Sequence, residues 1–310
     1  MLDRVAAIAL NTYRESMRAR ILLGLAGLAV AVAFYSLIVG SYTLHNAARV
    51  VSDLGAASIS IFALVVAIVI CSTSLYRELE QKTLFPILAR PIRRGEYLVG
   101  KYLGTLLTIA VFVMADAGLV SILSAALGGR SLALCAGTGV ALGLSLPVAM
   151  WRSTWARTFG PIPWAVLVLV AGAALSAVVP DERRVLLGGS ALALLEVAIV
   201  AGFGVLFASF STPFLSALLT LGVILIGRNA DVLARLPVRF FGQGVHVAGV
   251  ALSRVVPNLQ VYVPARPLLS GEAVGAPLGS YLGMAALAAV AWAVGLLALA
   301  TFIFRKRDFL

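Results

Sequence analysis

The sequence predicts an all-α, polytopic helical membrane protein, and three observations carry that prediction. Of its 310 residues 61% are hydrophobic and 12% charged, with a mean hydropathy of +1.04. A soluble domain is nearer half apolar and a quarter charged. Runs of about 20 apolar residues recur, the length needed to cross a hydrocarbon core. Segments such as "ILLGLAGLAVAVAFYSLIVG" (21–40) have no polar face, so they do not fit a soluble bundle.

In order along the chain, residues 1–19 are not a span. Leu2, Val5, Ala6, Ala9, Tyr13 and Met17 recur at helical spacing, with Asp3, Arg4, Arg14, Glu15 and Arg18 on other faces. That pattern predicts an amphipathic interfacial helix. Eight spans follow, at 20–41, 57–76, 99–127, 132–151, 161–180, 187–209, 212–228 and 280–304. The fourth carries Gly137, Gly139, Gly143 and Pro147, glycines that suit close helix packing, and the fifth opens with "GPIP", where proline is tolerated in a first turn. A re-entrant pair would share this pattern. The 229–279 segment is a long loop, and its 240–256 stretch reads as amphipathic helix resting on the outer surface.

Lysine and arginine orient the spans. With the N-terminus inside, inner segments carry 15 of the 24 basic residues. Outer segments carry nine, five of them (Arg228, Arg235, Arg239, Arg254 and Arg266) in the long last loop region. Short loops weigh most in the positive-inside rule, so both termini are expected in the cytoplasm and 229–279 outside it. The net charge of +11 then reflects topology and contact with anionic membrane lipid rather than nucleic-acid binding. Cys71 and Cys135 both fall in apolar runs, as small hydrophobes. The first 20 residues do not read as a cleavable signal peptide.

No G-x-x-x-x-G-K-[ST], H-E-x-x-H, C-x-x-C or G-x-S-x-G occurs, so the chain has no P-loop for nucleotide phosphates and no recognisable catalytic cluster. His45 and His246 are isolated, and neither a metal site nor a bound cofactor is expected. Two acids lie inside predicted spans, Asp116 and Glu196. Ionisable groups at membrane depth are costly and suggest function by default. A substrate path, a cation site, proton coupling and a helix–helix hydrogen bond all fit them, and Glu196→Gln is expected to be tolerated in folding. An ion-coupled secondary transporter or ion channel using Asp116 and Glu196 is one reading of the whole chain, although inverted repeats with broken helices are not evident. An integral membrane enzyme is a weaker one.

The densest charge lies in "LYRELEQKTLFPILARPIRRGEYLVGKYLG" (75–104), where both signs alternate. Leu75, Leu79 and Thr83 share one helical face, Pro91 and Gly95 make a turn, and a new helix starts near Glu96. Mixed signs favour a protein contact over plain lipid attraction. The order E-x-E-x-x-T-x-x-x-I-L-x-R-P-I-x-R-x-E-Y-L-x-G-K, with "ALNTYRES" (9–16), "FASFSTPFLSALLTLG" (207–222) and the closing "FRKRDF" (304–309), resembles type-2 ABC exporter permeases, and more narrowly their NosY-like branch.

The resemblance implies one transmembrane permease domain over 1–310, with six core spans, in a bacterial cytoplasmic (inner) membrane. It implies a permease that pairs with a second permease subunit, as a homodimer or heterodimer, and docks on a separate cytoplasmic ABC ATPase. That partner would use the ATP and Mg; this chain would be no enzyme. An extracytoplasmic accessory protein would also fit such a system. The cytoplasmic coupling loop falls at 77–98, placing Glu78, Glu80, Thr83, Arg90, Pro91, Arg93, Arg94 and Glu96 at or near the ATPase. Residues 131–180 depart from the pattern and read as an inserted span pair. A glutamate at the place of Glu196 looks common in the family, which suits a shared structural role.

Overall fold

The computed structural model describes residues 2–43, 45–80, 93–271 and 277–306. All regular structure among these residues is helical. The helices are α1 (Leu2–Met17), α2 (Arg20–Ser41), α3 (Ala47–Glu80), α4 (Arg94–Leu127), α5 (Leu132–Arg152), α6 (Thr154–Phe159) and α7 (Pro161–Leu175). They continue as α8 (Pro180–Ala208), α9 (Pro213–Arg228), α10 (Ala230–Ala234), α11 (Val238–Val255), α12 (Arg266–Ser270) and α13 (Leu278–Lys306). Short 3₁₀ turns fill Ser176–Val178 and Leu259–Tyr262.

Seven helices are long and apolar enough to cross a membrane: α2, α3, α4, α5, α7 with its 3₁₀ turn, α8 and α13. The eighth expected span, 212–228, forms α9, which at 16 residues is about 24 Å long. Thr212 precedes its Pro213 start and Arg228 ends it. The second expected span is longer than its apolar run. α3 begins at Ala47, ten residues before 57, because "AARVVSDLGA" is itself helical, with Arg49 and Asp53 paired at i,i+4.

Helices α3, α4 and α8 form the centre, and most of α8 is buried against α3, α4, α9 and α13. Its inner face supplies Leu186, Leu192, Val197, Ile199 and Val200, all essentially inaccessible. Helix α2 buries Leu22 at its start and then a stripe of small residues, Ala29, Ala33, Ser36 and Gly40, while Leu23, Phe34, Tyr35 and Ile38 face outward. An apolar outward face is what lipid requires, since hydrocarbon surroundings remove the reason to hide leucine.

Close approach of backbones is set by glycine at a few places. A Cβ on Gly104 would stand 2.4 Å from the Ala9 carbonyl oxygen, and one on Gly100 2.7 Å from Ile8. These two residues, one helical turn apart, seat α1 on α4. Tyr13 completes that seat, fully buried beside Val111 and Ala165. Its hydroxyl has no hydrogen-bond partner among the described residues, and burial pushes the phenol up to about 12. Gly118 and Gly172 bring α4 and α7 into backbone contact, a Cβ on Gly172 lying 2.3 Å from the Gly118 oxygen.

Gly137, Gly139 and Gly143, read from sequence as packing glycines, are not. A Cβ on any of them meets nothing within 4 Å. Helix α5 runs along the rim, with Cys135 as its one buried residue, and is held to α7 partly by Trp164, whose Nε1 donates to the Leu142 oxygen at 2.8 Å. The 240–256 stretch is helical but broken at Gly242, whose φ of +80° suits a residue without Cβ. α11 is amphipathic and packs on α10, Gly249 against the Leu233 oxygen.

Candidate functional site

Both ends of the described chain meet at one end of the bundle. α1 covers the start of α4, and the last turns of α13 reach the same place: Arg94 donates from Nη1 to the Phe304 oxygen at 3.1 Å, and Tyr97 stacks on Phe304 with centroids 6.4 Å apart. Gly95 faces Thr301. One turn further along α4, buried Lys101 donates from Nζ to Ser74 Oγ at 2.7 Å and to the Ser74 oxygen at 3.3 Å. The two helices flanking the charged loop are therefore tied to each other, and the second is tied to α13.

This placement sorts the expected docking residues. Glu78 and Glu80 fall on the last turns of α3, while Thr83, Arg90 and Pro91 lie outside the described residues. Arg93 immediately precedes α4 and is exposed; Arg94 is half-buried in its contact with α13; Glu96 is buried in the first turn, one carboxylate oxygen unpartnered among the described residues. An acid there interacts favourably with the helix dipole. Lys101, Tyr97 and Phe304 were not expected in this cluster. The signal for Lys101 was available, a lone cation in "LVGKYLG".

At membrane depth Glu196 is fully buried on α8 and has a partner. Arg228, the last residue of α9, donates from Nε to one of its oxygens and from Nη2 to the other, both at 2.8 Å. The same Nη2 donates to Ser60 Oγ on α3 at 2.6 Å. A bidentate guanidinium–carboxylate pair fixes orientation as well as charge, so three helices are pinned together. Sequence reading counted Arg228 as a loop cation; the structure brings it inward because α9 ends beside α8. A cation is also favourable at that helix C-terminus.

The end opposite the termini carries a second ionic cluster. Arg266 on α12 bridges Asp53 on α3 and Glu182 at the start of α8, and Ser52 also donates to Glu182. Burial of Arg266 works against its charge, but the two carboxylates outweigh it and hold the guanidinium above the usual arginine pKa. A cavity of about 290 Å³ lies between this latch and the Glu196 pair, with Ser60, Arg228, Tyr262 and Arg266 in its walls. Tyr262 donates to the Ala285 oxygen at 3.0 Å. Its phenol is pushed up to about 12, chiefly by burial and secondarily by the charge of Glu196.

Asp116 is in a different place. It is 6% exposed on α4, and neither carboxylate oxygen has a hydrogen-bond partner among the described residues. It lies in the wall of a cavity of about 440 Å³ between α2, α4, α5 and α7. Among the described residues, no group of three or more His, Cys, Asp or Glu is arranged to hold a metal ion.

Long apolar helices around a buried centre, with ionic ties between them, define an all-α polytopic membrane protein. Residues 13–182 match the ABC-2 family transporter protein family, and the chain belongs to that family. The family comprises membrane components of ABC transporters, which are generally the non-catalytic subunits and in general work with a cytoplasmic ABC ATPase. The matched residues run through α5 and α7. No curated protein matches the chain.

Proposed function

We propose that the chain is the permease subunit of an ATP-driven ABC exporter of the NosY-like branch, lying in a bacterial cytoplasmic membrane with both termini in the cytoplasm. Two copies, or this chain and a related one, complete the permease. A separate ATPase binds ATP and Mg and docks on the 77–98 loop.

The observation that carries this reading is the pair of ties at the ends of the loop, Lys101 to Ser74 and Arg94 to Phe304. A loop whose flanking helices are cross-linked moves them as a unit. Force from an ATPase on 77–98 therefore passes to α3, α4 and α13 together. Exposed Arg93 takes no part in these two ties, so its side chain is open to the partner. The arrangement at Glu196 favours the permease over an ion pathway, because its carboxylate is already neutralised by Arg228.

A mild-detergent pull-down of the tagged chain from its native membrane, read by mass spectrometry, tests the reading. It should recover a stoichiometric P-loop ATPase. Recovery of the chain alone, even after crosslinking, would overturn it.

A further inference from the structure

The cavity around Asp116 is built from hydrocarbon with one exception. Leu22 and Phe34 of α2, Leu119 of α4, Gly143 of α5, and Trp164 and Val168 of α7 are among its walls. Asp116 is the one ionisable side chain among the described lining residues; Thr108, also in the wall, spends its hydroxyl on the Gly104 oxygen. The carboxylate sits 11 residues before the end of α4, about 16 Å along the helix from that end. Both of its oxygens lack a partner among the described residues. Buried polar groups are normally paired, and a buried carboxylate in apolar surroundings calls for a counter-charge that also donates hydrogen bonds.

The chemistry of the walls narrows what supplies that charge. Hard inorganic cations take six or more oxygen ligands or keep much of their water, and this cavity offers one carboxylate among methyl and methylene groups. An ammonium group carries its own donors and can give one to each of the two carboxylate oxygens. An attached apolar body fills the remainder, and the volume lies in the range of small-molecule sites. Leu23, Val30 and Phe34 line the cavity and are also exposed on the outer surface of α2, so the cavity opens sideways toward lipid.

We propose that this cavity binds an apolar amine entering from the bilayer, its ammonium held by Asp116 and its hydrocarbon body packed between α2, α5 and α7. The site goes beyond the permease reading and does not depend on it. The loose seating of α5 serves it: Gly139 and Gly143 face open space rather than a neighbouring helix, leaving the volume that side chains there would fill.

The test uses the full chain in phosphatidylcholine nanodiscs, without nucleotide or partner. A diazirine-bearing dodecylamine and the matching dodecanol are photolysed in separate samples, and adducts are mapped by mass spectrometry. The amine should label α2 and α7 about tenfold more than the alcohol, as a charge-assisted contact requires. Asp116→Asn should bring amine labelling down to the alcohol level while leaving the alcohol unchanged. Gly143→Leu, which keeps the charge and whose Cβ meets nothing within 4 Å, should fill the cavity and lower labelling by both. Equal labelling of the wild-type chain by amine and alcohol would mark a pocket for acyl chains only and overturn the proposal. Undiminished amine labelling in Asp116→Asn, or adducts lying elsewhere, would do the same. The wild-type comparison stands alone should a variant fail to fold. Failure to find an ATPase partner would leave this result untouched.

Discussion

Glu196 and Asp116 are both acids buried in apolar helices, and the structure gives them opposite situations. Glu196 accepts two hydrogen bonds from Arg228, which also reaches Ser60. Breaking one partner of such a pair strands the other charge. Glu196→Gln is therefore expected to cost on the order of 3 kcal/mol, the low end for a buried pair because Arg228 is partly exposed. This replaces the expectation from sequence that the change is tolerated. The double variant Glu196→Leu/Arg228→Met should recover most of the loss, since an apolar replacement of both partners is often neutral. Thermal unfolding of the wild type, Glu196→Leu, Arg228→Met and the double variant measures the coupling; additive losses would deny it. Sequence alone flagged Glu196 by its depth. Its partner was hidden because the pairing depends on where α9 ends, 32 residues away in the chain.

At the scale of elements, small residues decide which helices touch. Gly100 and Gly104 admit α1, and Gly118 and Gly172 admit α7, whereas Gly137, Gly139 and Gly143 admit nothing. Gly104→Ala should loosen α1, at a cost of about 1–3 kcal/mol for the overpacking, with faster proteolysis of the N-terminal segment as readout. Gly137→Ala should be neutral or slightly stabilising, since alanine favours helix over glycine. Equal behaviour of the two variants would contradict the packing scheme. Spans were legible from hydropathy because lipid demands an apolar surface whatever the neighbours. Helix contacts were not, because glycine spacing alone does not say which face meets a backbone. The ten helical residues before 57 were missed for a related reason: a helix extends past its apolar window when polar i,i+4 pairs support it.

The whole molecule is tied at both ends and at mid-depth. Lys101 and Arg94 fasten the end with the termini, Glu196 and Arg228 the interior, and Arg266 the far end. In the proposed permease, some of these ties part during transport while others transmit force. The far latch is the most exposed of the ionic ones, with Asp53 half in the open. Arg266→Ala should leave Asp53 and Glu182 without their shared cation. Spin labels at positions 54 and 181 should then show a longer, broader distance distribution between α3 and α8; an unchanged distribution would mean the latch holds nothing. The latch itself was not legible, because its three residues lie on separate helices joined only by the fold.

On the proposed function an ATPase acts through the 77–98 loop, and Arg93 is the exposed side chain that would meet it. p-Benzoylphenylalanine in place of Arg93, irradiated in native membranes, should yield an adduct with a P-loop ATPase. Adducts with lipid alone, or none in membranes where that ATPase is present, would rule out docking at this loop.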